Sequence, residues 1–120
     1  LLVDDEPGVR QFVQRVLQQH GFRVVAAAEA AQAIETAMRA TERIDVLLTD
    51  LVMPGLSGRQ LAARFRELRP GVPIVCMTGF AEDEQAGARS GDLMTAVLTK
   101  PFRVDTLLRT LDAAMSAREA

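Results

Sequence analysis

Cysteine and histidine are nearly absent from this chain of 120 residues: there is one of each, Cys76 and His20. A disulfide scaffold, a zinc finger and a Cys/His metal site are therefore excluded. A Cys-His catalytic pair is excluded in any ordinary form, because His20 would have to fill every such role. There is no Trp and no Tyr, and Phe is the sole aromatic type. Nor is there an excess of one charge. Fourteen basic and sixteen acidic residues leave a formal charge of −2, which argues against nucleic-acid binding through bulk charge. No apolar run approaches the ~18 residues that a membrane span needs. Leu1-Leu2-Val3 is too short for a signal peptide, has no basic flank and lacks Met. We expect the chain to begin inside its first strand. The unpaired Cys76 fits a reducing, cytoplasmic setting.

What remains for chemistry is Asp, Glu, Lys, Arg, Ser and Thr. The length suits a single domain over 1–120, able to hide roughly two-thirds of its unfolded surface.

Short apolar runs alternate with amphipathic stretches. Leu1–Val3 ends at Asp4-Asp5. Pro7 suits the first turn of a helix, and Val9, Phe12, Val13, Val16 and Leu17 share one helical face. His20-Gly21 ends that helix, with Gly21 fitted to a left-handed cap. Phe22–Ala26 reads as a strand. Ala30–Ala40 reads as a helix with Ala30, Ala33, Ile34, Ala37 and Met38 inward. Ile44–Thr49 is apolar without alternation, like a strand buried on both faces, and runs into Asp50. Pro54, Gly55 and Gly58 mark a loop. Arg59–Arg69 is a helix with Leu61, Ala62, Phe65 and Leu68 on one side. Pro73–Met77 is a strand ending at Thr78-Gly79. The stretch 81–92 is a weak helix, because Gly87 and Gly91 each cost ~1 kcal/mol. Met94–Thr99 is a strand ending at Lys100-Pro101. A final helix runs from Val104 to about Arg118, with Leu107, Leu108, Leu111 and Met115 on one face.

A β-α unit repeated five times predicts an α/β fold with a parallel sheet covered on both faces. Sites in such sheets lie beyond the carboxyl ends of the strands. Those ends carry Asp4-Asp5, Asp50, Thr78 and Lys100. Clustered carboxylates repel unless a cation sits among them. Oxygen donors without imidazole or thiolate select a hard cation, and Mg²⁺ fits; Mn²⁺ or another divalent ion could replace it. A carboxylate, a divalent metal, a lysine and a hydroxyl together describe phosphoryl transfer. A carboxylate can be the nucleophile, giving an aspartyl-phosphate. Asp50, ending the central strand, is the best-placed candidate.

Other residues read as structural. Glu6 suits a helix start and His20 a helix end. Cys76 is a small hydrophobe in a buried strand. Arg59, Arg64, Arg66 and Arg69 form a solvated face.

Four ordered segments carry a resemblance: Leu2-Val3-Asp4-Asp5-Glu6-Pro7; Leu47-Leu48-Thr49-Asp50-Leu51-Val52-Met53-Pro54-Gly55-Leu56-Ser57-Gly58; Pro73-Ile74-Val75-Cys76-Met77-Thr78-Gly79; and Lys100-Pro101-Phe102. Over essentially its whole length the chain resembles the receiver domain of two-component response regulators. The resemblance implies a five-stranded, doubly wound (βα)5 flavodoxin-like sheet in order 2-1-3-4-5. It implies that Asp50 takes a phosphoryl group from a phosphohistidine on a sensor histidine kinase or a histidine phosphotransfer protein. Asp5 then ligates Mg²⁺ directly, Asp4 holds the ion mainly through water, and the backbone carbonyl of Val52 is a third protein ligand. Lys100 contacts the phosphate, and Thr78 is the switch hydroxyl that moves toward it. The Lys100–Pro101 bond matches one that is usually cis, which proline permits because its trans preference is only about 0.5–1 kcal/mol.

The family usually has Tyr or Phe three residues before the lysine; here Val97 stands there. Val52 and Phe80, two residues after Asp50 and Thr78, are apolar and cannot position a water, so self-hydrolysis of the phosphorylated form should be slow. The face formed by residues 79–118 would meet a partner or a second copy. Two other readings stay open: an interaction module that does not use phosphorylation, and a phosphohydrolase like the haloacid dehalogenases. The last fits poorly, since Glu6 and Pro7 stand where a second acid should follow a first-strand nucleophile. The runs Met77-Thr78-Gly79-Phe80 and Lys100-Pro101-Phe102 resemble receivers of hybrid sensor kinases.

Overall fold

A computed structural model describes residues 1–39, 41–53, 55, 57–79 and 95–119. Along these residues the elements run β1 (Leu2–Val3), α1 (Pro7–Gln19), β2 (Ala26–Ala27), α2 (Ala30–Met38), β3 (Leu47–Asp50), α3 (Gly58–Leu68), β4 (Ile74–Thr78), β5 (Ala96–Thr99) and α4 (Val104–Glu119). The expected helix over 81–92, with Gly87 and Gly91, lies outside the described residues, as do Pro54, Phe80 and Met94.

All five strands pair in parallel in one sheet, in the order β2-β1-β3-β4-β5. Parallel pairing sends every carboxyl end to one edge, and the period-two pleat divides the side chains between two faces. Val3, Leu47, Ile74 and Cys76 point to one face and pack with Ala30, Ala33 and Ala37 of α2 and with Leu61, Ala62 and Phe65 of α3. Leu2, Leu48, Val75, Met77 and Leu98 point to the other and pack with Val13, Val16 and Leu17 of α1 and with Leu107, Leu111 and Ala114 of α4. Burial on both faces explains the unbroken apolar runs of β3 and β4. Phe65 is fully buried at the centre of the α3 contact, where truncation to Ala would cost ~3–5 kcal/mol.

The helix ends follow from local chemistry. Pro7 opens α1. Gly21 leaves the helix at φ 88°, and the His20 ring Nδ1–H donates to the Val16 carbonyl at 2.9 Å, so His20 serves the helix end. At the start of α3, Ser57 and Gln60 form a reciprocal capping box: the Gln60 N–H donates to Ser57 Oγ, and the Ser57 N–H donates to Gln60 Oε1. The Lys100–Pro101 peptide is cis.

Four expectations need correction. The second strand is Ala26–Ala27, not Phe22–Ala26. It pairs with a β1 of two residues, which limits its length, and Phe22 and Val24 pack instead against the α1 and α4 core. Phe12 is 54% exposed although it shares the helical period of Val13 and Val16; it sits at the margin of the buried stripe. Met38, in the final turn of α2, is 64% exposed, and Thr36 is buried with its hydroxyl donating to the Gln32 carbonyl. Arg69 is not part of a solvated face. Its Nε donates to the Ala37 carbonyl at 2.9 Å and its Nη2 to the Arg39 carbonyl at 2.7 Å, which ties the end of α3 to the orphan carbonyls of α2.

Candidate functional site

The sheet edge at the carboxyl ends of β1, β3 and β5 gathers an acidic cluster around one lysine. Asp4 and Asp5 follow β1, and Asp50 is the last residue of β3. One carboxylate oxygen from each of these three lies within 4.8 Å of the others. Lys100, immediately after β5, donates from Nζ to Asp50 Oδ2 at 3.2 Å and to Asp4 Oδ2 at 3.4 Å. Asp4 is fully buried, Asp50 is 6% exposed, and Asp5 is half-buried. Asp5 and Asp50 border an open cleft of about 590 Å³, lined also by Glu6, Val52, Met53, Gly79 and Lys100.

Backbone packing places Asp50. The Leu51 N–H donates to the Met77 carbonyl at 2.9 Å, and the Gly58 N–H donates to the Leu51 carbonyl at 2.8 Å. The first residue of α3 thus folds back onto the loop that leaves β3. Only glycine allows that approach: a Cβ at position 58 would meet the Asp50 carbonyl oxygen and would lie 2.7 Å from Leu51 Cα. The backbone of Val52 favours the charged form of the Asp50 carboxylate. The buried Thr49 hydroxyl donates to the Asp50 carbonyl at 3.0 Å.

The charges act on one another. Burial pushes the Asp50 carboxyl above its ordinary value; Lys100 opposes this, Asp4 reinforces it, and the net direction is upward. Burial pulls the Lys100 ammonium down, but Asp50 and Asp4 outweigh it and hold its pKa above the usual lysine range. One lysine does not fully neutralise two buried acids and a third beside them. The donor set is carboxylate oxygen throughout, the chemistry of a hard divalent cation that keeps part of its water shell. Asp4, Asp5 and Asp50 therefore fit Mg²⁺.

Of the residues singled out from the sequence, Asp4, Asp5, Asp50, Val52 and Lys100 come together here. Val52 stands at the rim with its side chain 55% exposed. Thr78 ends the neighbouring strand but is fully buried, and its hydroxyl donates to the Gly79 carbonyl at 3.1 Å. Its backbone does join the site, since the Lys100 N–H donates to the Thr78 carbonyl at 2.7 Å. Val97 is partly buried against the α2 and α3 core. Sequence reading missed Gly58, Thr49 and Arg10, whose Nη1 donates to the Asp4 carbonyl at 2.8 Å. The signal for Arg10 was its position six residues after Asp4, one turn inside a helix that Pro7 opens.

A family model described as the response regulator receiver domain matches residues 1–112. The chain belongs to this family. Among curated relatives, the receiver is 32% identical over 115 residues to the transcriptional regulatory protein GlrR of Escherichia coli K12, covering 96% of this chain and 26% of the relative. It thus spans about a quarter of that protein's length. It is 32% identical over 117 residues to the response regulator receiver protein CpdR of Brucella abortus, covering 98% of this chain and 96% of the relative. In fold it matches a receiver domain structure from Clostridium thermocellum with a TM-score of 0.91 at 23% identity, covering 98% of this receiver and 94% of that chain. Receiver domains are generally signalling switches rather than enzymes. They bind Mg²⁺ at an acidic pocket and are phosphorylated by histidine kinases or phosphotransfer proteins. Among the described residues, no helix of this receiver is long and apolar enough to cross a membrane.

Proposed function

We propose that this chain is a cytoplasmic signalling switch, one receiver over 1–120, that accepts a phosphoryl group on Asp50. The donor is a phosphohistidine on a sensor histidine kinase or on a histidine phosphotransfer protein. An Asp50 carboxylate oxygen forms a bond to phosphorus as the phosphorus–nitrogen bond breaks, and the departing imidazole keeps the electron pair and takes up a proton. The observation that carries this reading is the double contact of Lys100 with Asp50 and Asp4, beside three carboxylates that fit a divalent cation.

Each residue then has a task. Asp50, in the lining of the cleft, is the nucleophile. Lys100 leaves its two carboxylates to neutralise the incoming phosphoryl oxygens, a displacement that electrostatics favours because the phosphorylated side chain carries about −1.5 to −2 charge. Asp5, Asp50 and the Val52 carbonyl would hold Mg²⁺, which would supply charge neutralisation at the phosphoryl group. Asp4 would act on the ion through water, with its Oδ1 kept by the Glu6 N–H. Thr78 turns its hydroxyl from Gly79 toward the phosphoryl group, and that movement biases the surface over 79–118 that would meet a partner or a second copy. Residues 80–94 of that surface lie outside the described residues.

The deciding experiment is incubation of the chain with Mg²⁺ and acetyl phosphate, followed by intact mass measurement. One added phosphoryl group is expected, absent in Asp50→Asn and absent without Mg²⁺. A folded wild-type chain that stays unmodified with acetyl phosphate, and also with a phosphorylated histidine donor, would favour an interaction module that does not use phosphorylation.

A further inference from the structure

Every polar atom of Asp4 has a partner. Its N–H donates to the Ala27 carbonyl at 3.2 Å. The Glu6 N–H donates to its Oδ1 at 2.9 Å, and Lys100 donates to its Oδ2 at 3.4 Å. Its carbonyl accepts from Arg10 Nη1 at 2.8 Å. That carbonyl belongs to the peptide linking Asp4 to Asp5. A trans peptide is a rigid plane, so a bond to its oxygen limits rotation of the plane and sets the direction in which Asp5 leaves it. Among the described residues, Asp5 has little other means of being aimed. It sits in the three-residue connection between β1 and α1 and is only half-buried. Yet its carboxylate comes within 4.8 Å of those of Asp4 and Asp50.

We infer that Arg10 is a positioning residue for Asp5: anchored in the first turns of α1, its guanidinium holds the Asp4–Asp5 peptide so that the Asp5 carboxylate faces the cation position beside Asp50. This rests on the metal-site reading above. Arg10 touches neither the cation nor a reacting atom, and its effect passes through the peptide. The wider rule is that losing a group that orients a metal ligand costs roughly 10–100-fold in metal affinity.

Charge and positioning predict opposite signs, which makes the inference sharp. A guanidinium near a bound cation repels it, so by charge alone removing Arg10 tightens Mg²⁺ binding. By positioning, removing it loosens binding. Calorimetric titration with Mg²⁺ and no phosphodonor separates the two, with folding of each variant checked by far-UV circular dichroism. Arg10→Met keeps the aliphatic stem and is expected to weaken Mg²⁺ by roughly 10-fold. Arg10→Lys keeps a long donor and is expected to recover most of that loss. In nuclear magnetic resonance spectra, the Asp5 amide should shift in Arg10→Met and return toward its wild-type position in Arg10→Lys. If Arg10→Met does not fold, Arg10→Gln replaces it, since the shorter side chain does not span the distance. Tighter or unchanged binding in the folded variant overturns the inference. Failure of the unsubstituted chain to bind Mg²⁺, or undiminished binding by Asp5→Asn, overturns the metal-site reading itself and this inference with it.

Discussion

The Lys100 ammonium lies 3.2 Å from the Asp50 carboxylate, joining the end of β5 to the end of β3 across the intervening β4. The same ammonium reaches Asp4 beyond β3, at 3.4 Å. A single side chain therefore holds three strand ends together, and it does so at the point where negative charge is densest. Lys100→Ala leaves two buried carboxylates without their cation. In metal-free buffer it should destabilise the fold by ~1–3 kcal/mol, since the group removed is the partner of a buried charge. Urea unfolding followed by far-UV circular dichroism measures this, and is the suitable probe because Trp and Tyr are absent. Excess Mg²⁺ should recover part of the loss, because the ion supplies charge that Lys100 no longer does.

Asp50→Asn should act in the opposite direction. The Asp50 pKa is raised in the fold, first by burial and further by Asp4, against the pull of Lys100. A carboxyl with a raised folded pKa binds its proton more tightly when folded, so its charged form opposes folding at neutral pH and that penalty fades as pH falls through the folded pKa. The neutral isostere removes the penalty. Without metal, Asp50→Asn should be more stable than wild type by roughly 0.5–2 kcal/mol at neutral pH, and the difference should shrink in the acid range. A difference that grows on acidification would show that Lys100 outweighs burial and Asp4. Lys100 itself, with a raised pKa, contributes stability fully present below about pH 10.4 and lost as pH rises through its folded value.

Gly58→Ala should harm both fold and site. The added methyl would meet the backbone of Asp50 and Leu51, which cannot swing aside as a flexible side chain would. Overpacking of this kind costs ~1–3 kcal/mol, and relief by moving the β3–α3 connection displaces Asp50. Gly8→Ala is the control. Gly8 lies in the first turn of α1 with nothing within 4 Å of the added Cβ, so Ala there should stabilise by ~0.5–1 kcal/mol. Melting temperatures of the two variants should move apart, and only Gly58→Ala should weaken Mg²⁺.

Much of this arrangement was legible in the sequence, for a reason specific to parallel sheets. Because all strands point one way, the residue after each apolar run lands on the same edge, and this alone groups Asp4, Asp5, Asp50 and Lys100. Apolar periodicity located the helices but not their margins. Phe12 and Met38 keep the helical period and still face outward, since the period does not say where the neighbouring layer ends. The second strand was misplaced because a two-residue ladder leaves almost no pattern. Arg10 and Arg69 were missed for a different reason. Their partners are backbone carbonyls, present at every position, so no side-chain pairing marks them. In the sequence Gly58 reads as loop punctuation, while its close approach to Asp50 depends on tertiary packing.

The rim of the cleft is predicted to set how long the proposed phosphorylated state lasts. Val52 is 55% exposed beside Asp50, and its side chain offers no donor or acceptor to a water approaching the acyl phosphate. Hydrolysis then depends on water that no residue at this position aligns. Val52→Asn places an amide there which can hold such a water in line, and orientation alone is worth about 10-fold or more in rate. The prediction is faster decay of phospho-Asp50, followed by loss of the phosphoryl mass after removal of the phosphodonor. Phe80, the other apolar position named from the sequence, lies outside the described residues, so Phe80→Glu serves as an independent comparison. Unchanged decay in Val52→Asn together with acceleration in Phe80→Glu would assign control of lifetime to position 80 rather than position 52. Unchanged decay in both would count against the idea that these apolar positions slow hydrolysis by failing to align a water.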